Sequence, residues 1–234
     1  MNEQTVEKLV EVLREVPSEK RDEVVVKAKN QLEEEEKESK PKKEDLEKLF
    51  DTQIKILKDR GCPAAVIIDM LQEQRDDVLQ KASEIPIGKK HIAFLPVIPR
   101  TFLSIYTQMQ MVRNGDKIGY TYLKPSEITD VVETPADPYY IFDVEDGEAM
   151  LGKSPQNAEK TIKQQNWRGL TEVEVIALAI HTDVLSRHHV DALGSRYGSD
   201  GVPDLWLGGG RPRLDWSYLA YADGGWGAAS RRSN

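Results

Sequence analysis

The chain has 234 residues, of which 31% are charged, and its formal net charge is −8 at pH 7. This length allows one large domain or two smaller ones, while the negative charge repels phosphate backbones and argues against a nucleic-acid-binding protein. The single cysteine, Cys62, excludes an internal disulfide and is typical of a cytosolic protein.

The N-terminal segment is predicted to form an amphipathic helix. Val6, Leu9, Leu13 and Val16 recur at intervals of three and four residues, which places them on one stripe of a helix that ends at Pro17. The segment is acidic and lacks the basic start and apolar core of an export signal. No apolar run approaches the roughly twenty residues that cross a bilayer. The sequence therefore predicts a soluble, cytoplasmic protein with no membrane partner.

Three more helices are predicted in the same charged region. The second begins at Ser18 and leads into the charged tract 33–43, which we interpret as a solvated linker, with an acidic interaction tail as the alternative. The third follows Pro41, and the fourth opens at Pro63. Narrow apolar stripes on such polar helices must pack against something. We expect a helical domain over residues 1–85, formed as hairpins or a bundle, that contacts a protein partner or self-associates.

Short strands mixed with helices are predicted for a second domain, residues 86–234. Residues 91–98 form an apolar, β-branched run that is typical of a buried strand. The next stretch is predicted to be a helix that ends at 113–115. Residues 117–123 alternate between apolar and polar side chains, and residues 138–144 supply another strand.

Two helices and a hairpin are predicted to complete this domain. Ser154–Pro155 is an N-cap and first-turn pair, and Thr171–Glu174 has the spacing of a capping box before an apolar run. The glycines 208–210 separate two alternating strands, as in an antiparallel hairpin. Because the strands come in pairs with helices between the groups, we predict an α+β fold. It comprises a helical N-terminal region and a mainly antiparallel sheet with flanking helices, in which neighbouring strands run in opposite directions.

Residues 147–154 read GEAMLGKS and match the phosphate-loop pattern G-x-x-x-x-G-K-[ST]. The residues that would bind the phosphates and Mg²⁺ are Gly147, Gly152, Lys153 and Ser154. However, Glu148 would place a carboxylate beside the phosphates. Pro155 indicates that the preceding serine is a cap outside the helix, whereas a phosphate loop needs this residue within the first turn. A nucleotide-binding hydrolase is therefore an alternative hypothesis.

A second alternative is a metal-dependent hydrolase. The candidate ligands, within eleven residues, are His181, Asp183, His188, His189 and Asp191. On one helix, His181 and His188 would lie two turns apart, about 10 Å, which is too far for one ion. We instead expect the histidines and Arg187 to complement the negative end of a helix dipole, and we predict no bound metal and no cofactor.

Aromatic and arginine side chains are concentrated near the C-terminus. Aromatic faces and guanidinium groups stack and pair with planar ligands, anionic ligands or peptides. The residues that we expect to form a ligand or partner surface are Arg196, Trp206, Arg211, Arg213, Trp216 and Tyr218. No nucleophile and base stand out as a pair. The leading hypothesis is a cytoplasmic binding or interaction protein without catalytic machinery.

Four strings in the same region resemble those of an uncharacterised bacterial protein family. The strings are SRYG, VPDLWL, GGGRPRLDW and GWGAAS. The resemblance extends from about residue 90 to the C-terminus. Since that family has no established activity, the resemblance implies no catalytic residue. The similar proteins do not carry Gly-Lys-Ser at the place of Gly152, Lys153 and Ser154, so the resemblance lends nucleotide binding no support.

Overall fold

The computed structural model describes residues 40–233 of the chain. The first two predicted helices lie outside the described residues. Within residues 40–233, no helix is both long enough and apolar enough to cross a membrane. The helices of this range are α1 (Lys43–Asp59), α2 (Ala65–Glu73), α3 (Arg75–Glu84), α4 (Ile105–Met111), α5 (Pro155–Gln164) and α6 (Glu172–His181).

The described part of the chain also contains thirteen strands in three sheets. The strands are β1 (Ile92–Val97), β2 (Arg113–Asn114), β3 (Lys117–Ile118), β4 (Tyr120–Thr121), β5 (Ile128–Asp130), β6 (Tyr139–Glu145), β7 (Trp167–Gly169), β8 (His189–Asp191), β9 (Ser195–Tyr197), β10 (Gly201–Gly208), β11 (Arg211–Tyr218), β12 (Trp226–Ala228) and β13 (Ser230–Arg232). A four-stranded sheet has the order β1-β6-β13-β7. A seven-stranded sheet has the order β12-β8-β10-β11-β4, with β9 on β10 and β5 on β9. Strands β2 and β3 form a separate pair.

The predicted α+β fold with a mainly antiparallel sheet is confirmed. The expectation that all neighbouring strands run in opposite directions is wrong at two places, because β4 pairs in parallel with β11 and β12 pairs in parallel with β8. Both β4 and β12 lie at the ends of the seven-stranded path. Each of these strands is separated from its partner by several other elements of the chain, so no tight turn between the paired strands dictates their direction.

Helices α1 to α3 share a hydrophobic core with the four-stranded sheet. Phe50 of α1 is 1% exposed and stacks on Tyr140 of β6 with ring centroids 5.6 Å apart. Gln53 of α1 donates from Nε2 to the carbonyl oxygen of Phe94 in β1 over 2.7 Å, which ties the helix to the strand. Side chains before and after residue 86 therefore share one hydrophobic core. The predicted division into two domains at residue 86 stays a prediction.

Helix α6 lies in the centre of the fold. Every residue from Glu172 to Ile180 is buried, and the helix contacts both β1 and β10. A helix that is apolar around most of its circumference is typical of a core helix. The predicted capping box is confirmed, since Thr171 accepts from the amide of Glu174 and Glu174 Oε2 accepts from the amide of Thr171 over 2.8 Å.

The predicted antiparallel hairpin is formed by β10 and β11. Its turn contains Gly209 and Gly210, whose φ values are 61° and 76°. This left-handed backbone conformation favours glycine because a Cβ would be strained there. In the register of the hairpin, Leu205 lies directly opposite Leu214, and both side chains are buried.

The predicted strand over residues 117–123 is divided at Gly119 into β3 and β4. The amide of Gly119 donates to the carbonyl oxygen of Val112 over 2.9 Å, in register with the antiparallel pairing of β2 and β3, whereas β4 pairs with β11. A Cβ at Gly119 would lie 2.5 Å from the carbonyl oxygen of Met109, so the chain crosses close to α4 at this point. The alternation of side chains in residues 117–123 therefore continues through Gly119, although the strand itself is interrupted there.

Candidate functional site

Around Leu205, the seven-stranded sheet has one apolar side and one side rich in polar groups, although Val202 and Ala228 on the latter side are buried in a second hydrophobic cluster. Val190, Leu205 and Leu214 lie opposite one another on β8, β10 and β11 and are buried in the main core. Because side chains alternate along a strand, the flanking residues point to the other side. That side, here called the polar face, carries Tyr120, His189, Asp191, Asp204, Trp206, Arg211, Arg213, Asp215, Ser217 and Trp226.

Three aspartates from adjacent strands form a row across the polar face. Asp191 lies opposite Asp204, which in turn lies opposite Asp215. Asp191 and Asp204 are each 1% exposed, and burial disfavours the ionised form of a carboxyl group. Burial raises the pKa of Asp191 to about 7. Burial, together with the charges of Asp191 and Asp215, raises the pKa of Asp204 well above its ordinary value.

The two buried carboxyl groups lack hydrogen-bond partners. No oxygen of Asp191 or Asp204 has a partner within residues 40–233, and Ser217 lies beside Asp204 but outside hydrogen-bond geometry. Nε of Arg213, Oγ of Ser217 and Nδ1 of His189 are also buried without a partner in this range. The polar face thus holds seven such atoms. Buried polar atoms are normally hydrogen-bonded, so this concentration on one surface calls for a physical explanation.

A row of rings borders the carboxyl groups. The ring centroid of His189 lies 5.4 Å from that of Trp206 and 4.9 Å from that of Trp226. Tyr221, which is 49% exposed, extends the row, with its ring centroid 5.6 Å from that of Trp226. Burial lowers the pKa of His189, so its ring is uncharged at pH 7. The polar face therefore combines partly exposed flat rings with buried hydrogen-bonding groups.

The arginine in the middle of the polar face is neutralised by a neighbour. Arg213 lies opposite Trp206, with its guanidinium carbon 5.8 Å from the ring centroid, and it pairs with Asp215 at 2.5 Å. Arg211, next to the hairpin turn, donates from Nε to a backbone carbonyl oxygen over 2.7 Å and lies 4.3 Å from the ring centroid of Tyr120. Both guanidinium groups are thereby held against aromatic rings.

The residues predicted to form one ligand or partner surface lie in three places. Those on the polar face are Trp206, Arg211 and Arg213. Trp216 and Tyr218 lie on the opposite side of the hairpin, where they are 36% and 62% exposed. Arg196 of β9 pairs with Glu159 of α5 at 2.9 Å. The structure therefore does not bring these six side chains together.

The backbone amides of the GEAMLGKS segment already have acceptors. Asp146 Oδ1 accepts from the amide of Glu148 over 3.1 Å, and Glu145 Oε1 accepts from the amide of Ala149 over 2.9 Å. These carboxylates take the place that phosphate oxygens have in a phosphate loop. The amides of residues 150–153 donate to backbone carbonyl oxygens. The preceding strand β6 is antiparallel to both of its neighbours, whereas nucleotide-binding loops of open α/β folds follow a parallel strand.

The side chains of the GEAMLGKS segment are also engaged elsewhere. Ser154 is the N-cap of α5 with Pro155 at the first helical position, as predicted, although its side chain does not accept from a helix amide. Lys153 donates from Nζ to Oγ1 of Thr161 over 3.2 Å. The lysine therefore points along α5.

We expect that neither Mg-ATP nor Mg-GTP raises the melting temperature of the protein. We also expect Lys153→Ala to lower the free energy of unfolding by less than about 1 kcal/mol, because it removes one partly exposed hydrogen bond. Thermal-shift titrations of the parent protein and the variant test both statements. A nucleotide-dependent rise in melting temperature that the substitution abolishes would revive the nucleotide-binding alternative.

The histidine cluster is not carried by one helix, contrary to the geometry considered above. Helix α6 ends at His181, a 3₁₀ turn spans Val184–Ser186, and β8 follows. Thr182 terminates the helix, since its Oγ1 donates to the carbonyl oxygen of Leu178 over 2.7 Å and accepts from the amide of Val184. Within residues 40–233, no three His, Cys, Asp or Glu side chains are grouped so that they could hold a metal ion.

The expectation that these residues complement a helix dipole is wrong for two of them. Burial, with an added effect of Arg60, lowers the pKa of His181 to about 3, so this side chain is uncharged at pH 7. Arg187 pairs with Asp146 at 2.7 Å and lies 3.6 Å from Asp183. Neither residue therefore supplies a positive charge to the carbonyl groups at the end of α6.

Asp204, Asp215 and Ser217 are absent from the predicted site. The signal for them lies in the alternation of the hairpin strands. If leucines on one side of two paired strands are buried, the residues between them share the other side. Charged residues at those positions in both strands indicate a polar surface. Asp191 is a candidate ligand only in the alternative metal hypothesis, and the structure places it beside Asp204.

The comparison with protein families identifies the chain at the level of a family. A model described as "Family of unknown function (DUF5701)" matches residues 52–227. The match begins within α1 and ends within β12, so it covers strands of both larger sheets but not β13. No curated protein and no solved structure matches the chain.

Proposed function

Since the chain belongs to this family of unknown function, we propose a role for it from its own residues: a binding protein that holds a small, uncharged ligand with a hydroxyl-rich ring, such as a sugar, on the polar face. The observation that carries the proposal is the set of seven buried polar atoms without partners beside a row of partly exposed rings. Binding sites commonly combine apolar walls with a few well-placed polar groups.

The buried groups on the polar face include both donors and acceptors. Nε of Arg213 donates, and the hydroxyl of Ser217 does either. The raised pKa values of Asp191 and Asp204 mean that this pair retains a proton near neutral pH, so it presents one O–H donor and several acceptor oxygens. A ligand hydroxyl also donates and accepts. A ring that carries several hydroxyl groups therefore matches this mixed set.

Ligands with a net charge fit the polar face less well. An anion would approach the buried carboxyl groups of Asp191 and Asp204, which already repel each other. A cation would find acceptors, but it would leave the Arg213 Nε donor without a partner and next to a like charge. An apolar ligand would leave all seven buried polar atoms unsatisfied.

The ring row supplies the apolar part of the site. The C–H faces of a sugar ring are apolar, so they pack against flat aromatic side chains while the hydroxyl groups at the ring edge reach polar neighbours. Trp206 and Trp226 flank His189 and are both partly exposed. Such large, rigid side chains contribute much contact area at low entropic cost.

We expect Trp206→Ala to weaken sugar binding by about tenfold or more, because it removes an aromatic wall of the site. Trp216→Ala is the matched control, since it alters the same hairpin on the opposite side. It should change the affinity by less than about twofold. Calorimetric titration of the parent protein and both variants with glucose, galactose, mannose and N-acetylglucosamine measures these affinities.

Two outcomes would contradict the proposed function. One is that none of the four sugars changes the NMR signals of the Trp206 and Trp226 indoles. The other is an equal loss of affinity in Trp206→Ala and Trp216→Ala, which would place the ligand away from the polar face.

A cytoplasmic location is part of this proposal. It is supported by the single cysteine of the sequence, Cys62, which has no second thiol in the chain with which to form a disulfide. The role is proposed as binding without catalysis, since the groups on the polar face offer hydrogen bonds and stacking but no nucleophile paired with a base.

A further inference from the structure

A cleft of ≈ 380 Å³ opens between the end of α1, the β2–β3 pair and the C-terminal end of α6. None of its lining residues belongs to the polar face. Its charged and polar lining residues are Arg60, Arg113, Asn114, His181, Thr182, Asp183 and Ser186. The cleft is therefore a separate surface feature, built from a helix end, a hairpin and the turn that follows α6.

Two arginines line this cleft without a carboxylate partner. Within residues 40–233, the Arg113 guanidinium makes no hydrogen bond or ion pair, and Arg60 has one long contact, 3.5 Å from Nη1 to the carbonyl oxygen of Met111. Burial, and then the charge of Arg113, lowers the pKa of Arg60, so the two cations are close enough to repel each other. The acidic residue of the lining, Asp183, has an 81% exposed side chain 3.6 Å from Arg187.

His181 adds an unpartnered buried group to the same cleft. Both of its ring nitrogens are buried, and neither has a hydrogen-bond partner within residues 40–233. A neutral imidazole carries one N–H donor, and a buried donor without an acceptor is costly. The cleft thus brings together two positive charges that repel each other and a donor that lacks an acceptor.

We propose that this cleft binds a small oxyanion, a phosphate or carboxylate group, held by Arg60, Arg113 and His181. The planar guanidinium groups donate paired hydrogen bonds to such an anion. Its negative charge offsets the repulsion between the arginines, and one of its oxygens accepts from the His181 ring. The polar face contributes nothing to this site, so the inference is independent of the proposed sugar-binding role.

Titration of the full chain with sodium phosphate tests the inference. In ¹⁵N-histidine NMR spectra, we expect phosphate to shift the resonance that is missing in His181→Gln, and to do so more than sodium chloride at equal ionic strength. Arg113→Gln should weaken phosphate binding by about tenfold. Lys58→Gln removes a positive charge from an exposed position of α1 outside the cleft and should change the affinity by less than about twofold.

Parallel titrations with sodium acetate distinguish a carboxylate site from a phosphate site. A response to either anion that Arg113→Gln removes supports the inference. Equal responses to phosphate, acetate and chloride would overturn it, and so would an Arg113→Gln variant that keeps the parent affinity. Trp206→Ala is expected to leave anion binding unchanged, so this test and that of the polar face fail or succeed separately.

Discussion

Replacing Glu174 with glutamine is expected to lower the free energy of unfolding by about 3–5 kcal/mol. Glu174 is 0% exposed, and its carboxylate accepts from Arg168 over 2.8 and 2.6 Å and from the Tyr139 hydroxyl over 3.1 Å. Nε of Arg231 lies 3.7 Å from the same carboxylate. Glutamine keeps the shape but removes the charge, so two arginines stay buried without the negative charge between them.

The loss should appear in equilibrium urea unfolding as a lower midpoint with an unchanged slope. Glu47→Gln is the control, because Glu47 pairs with Lys43 at 3.9 Å on the surface of α1. Removal of such an exposed pair should cost less than about 0.5 kcal/mol. If Glu174→Gln cost no more than the control, the buried network would not stabilise the core as we infer.

Replacing Asp191 with asparagine is expected to remove a loss of stability that the parent protein undergoes between about pH 4 and pH 7. Burial raises the pKa of Asp191 to about 7 in the folded state, whereas an aspartate in an unfolded chain ionises near pH 4. Because folding favours the protonated form of this carboxyl group, its contribution to stability is fully present below about pH 4. The contribution is lost as the pH rises to about 7. A shift of this size corresponds to on the order of 4 kcal/mol.

The comparison of the two proteins at several pH values isolates this effect. The charged and titratable groups that share the polar face with Asp191 are Tyr120, His189, Asp204, Arg211, Arg213 and Asp215. We expect the stability of Asp191→Asn relative to the parent to rise from pH 4 to pH 8. Asp69→Asn, an exposed change on α2, should show no such rise. A constant difference between Asp191→Asn and the parent would mean that Asp191 titrates normally.

These two substitutions separate two kinds of buried acid. Glu174 has arginine partners and supports the core, whereas Asp191 and Asp204 have no hydrogen-bond partners within residues 40–233. A pair of unpartnered carboxyl groups lowers the stability of the fold near neutral pH, so packing alone does not explain their presence. Hydrogen bonds to a ligand would offset this cost, which is why we place the binding site there.

Much of the fold could be predicted because local signals agree with the packing. The apolar run before Pro99 forms β1, the capping box at Thr171 starts α6, and the glycines at 209 and 210 form the hairpin turn. Each of these features acts over a few residues. The parallel pairing of β4 with β11 and of β12 with β8 could not be predicted, because it depends on contacts between distant segments.

The site was harder to predict than the fold for a related reason. Trp206 and Trp216 are the same residue type in the two strands of one hairpin, so the sequence does not distinguish them. The pairing register places them on opposite sides of the sheet. Asp191 comes next to Asp204 only through the pairing of β8 with β10. Alternation along one strand predicts which residues share a side. It does not predict which strand lies beside it.

The order of the four-stranded sheet also constrains when this protein folds. Strand β13 lies between β6 and β7, although it is synthesised after both. The sheet therefore cannot close until the segment around Ser230 has left the ribosome, and until then β6 and β7 each present an open edge that invites pairing with other nascent chains. A chain cut just before Ser230 should accordingly accumulate in inclusion bodies, even though it would retain every residue of both proposed sites.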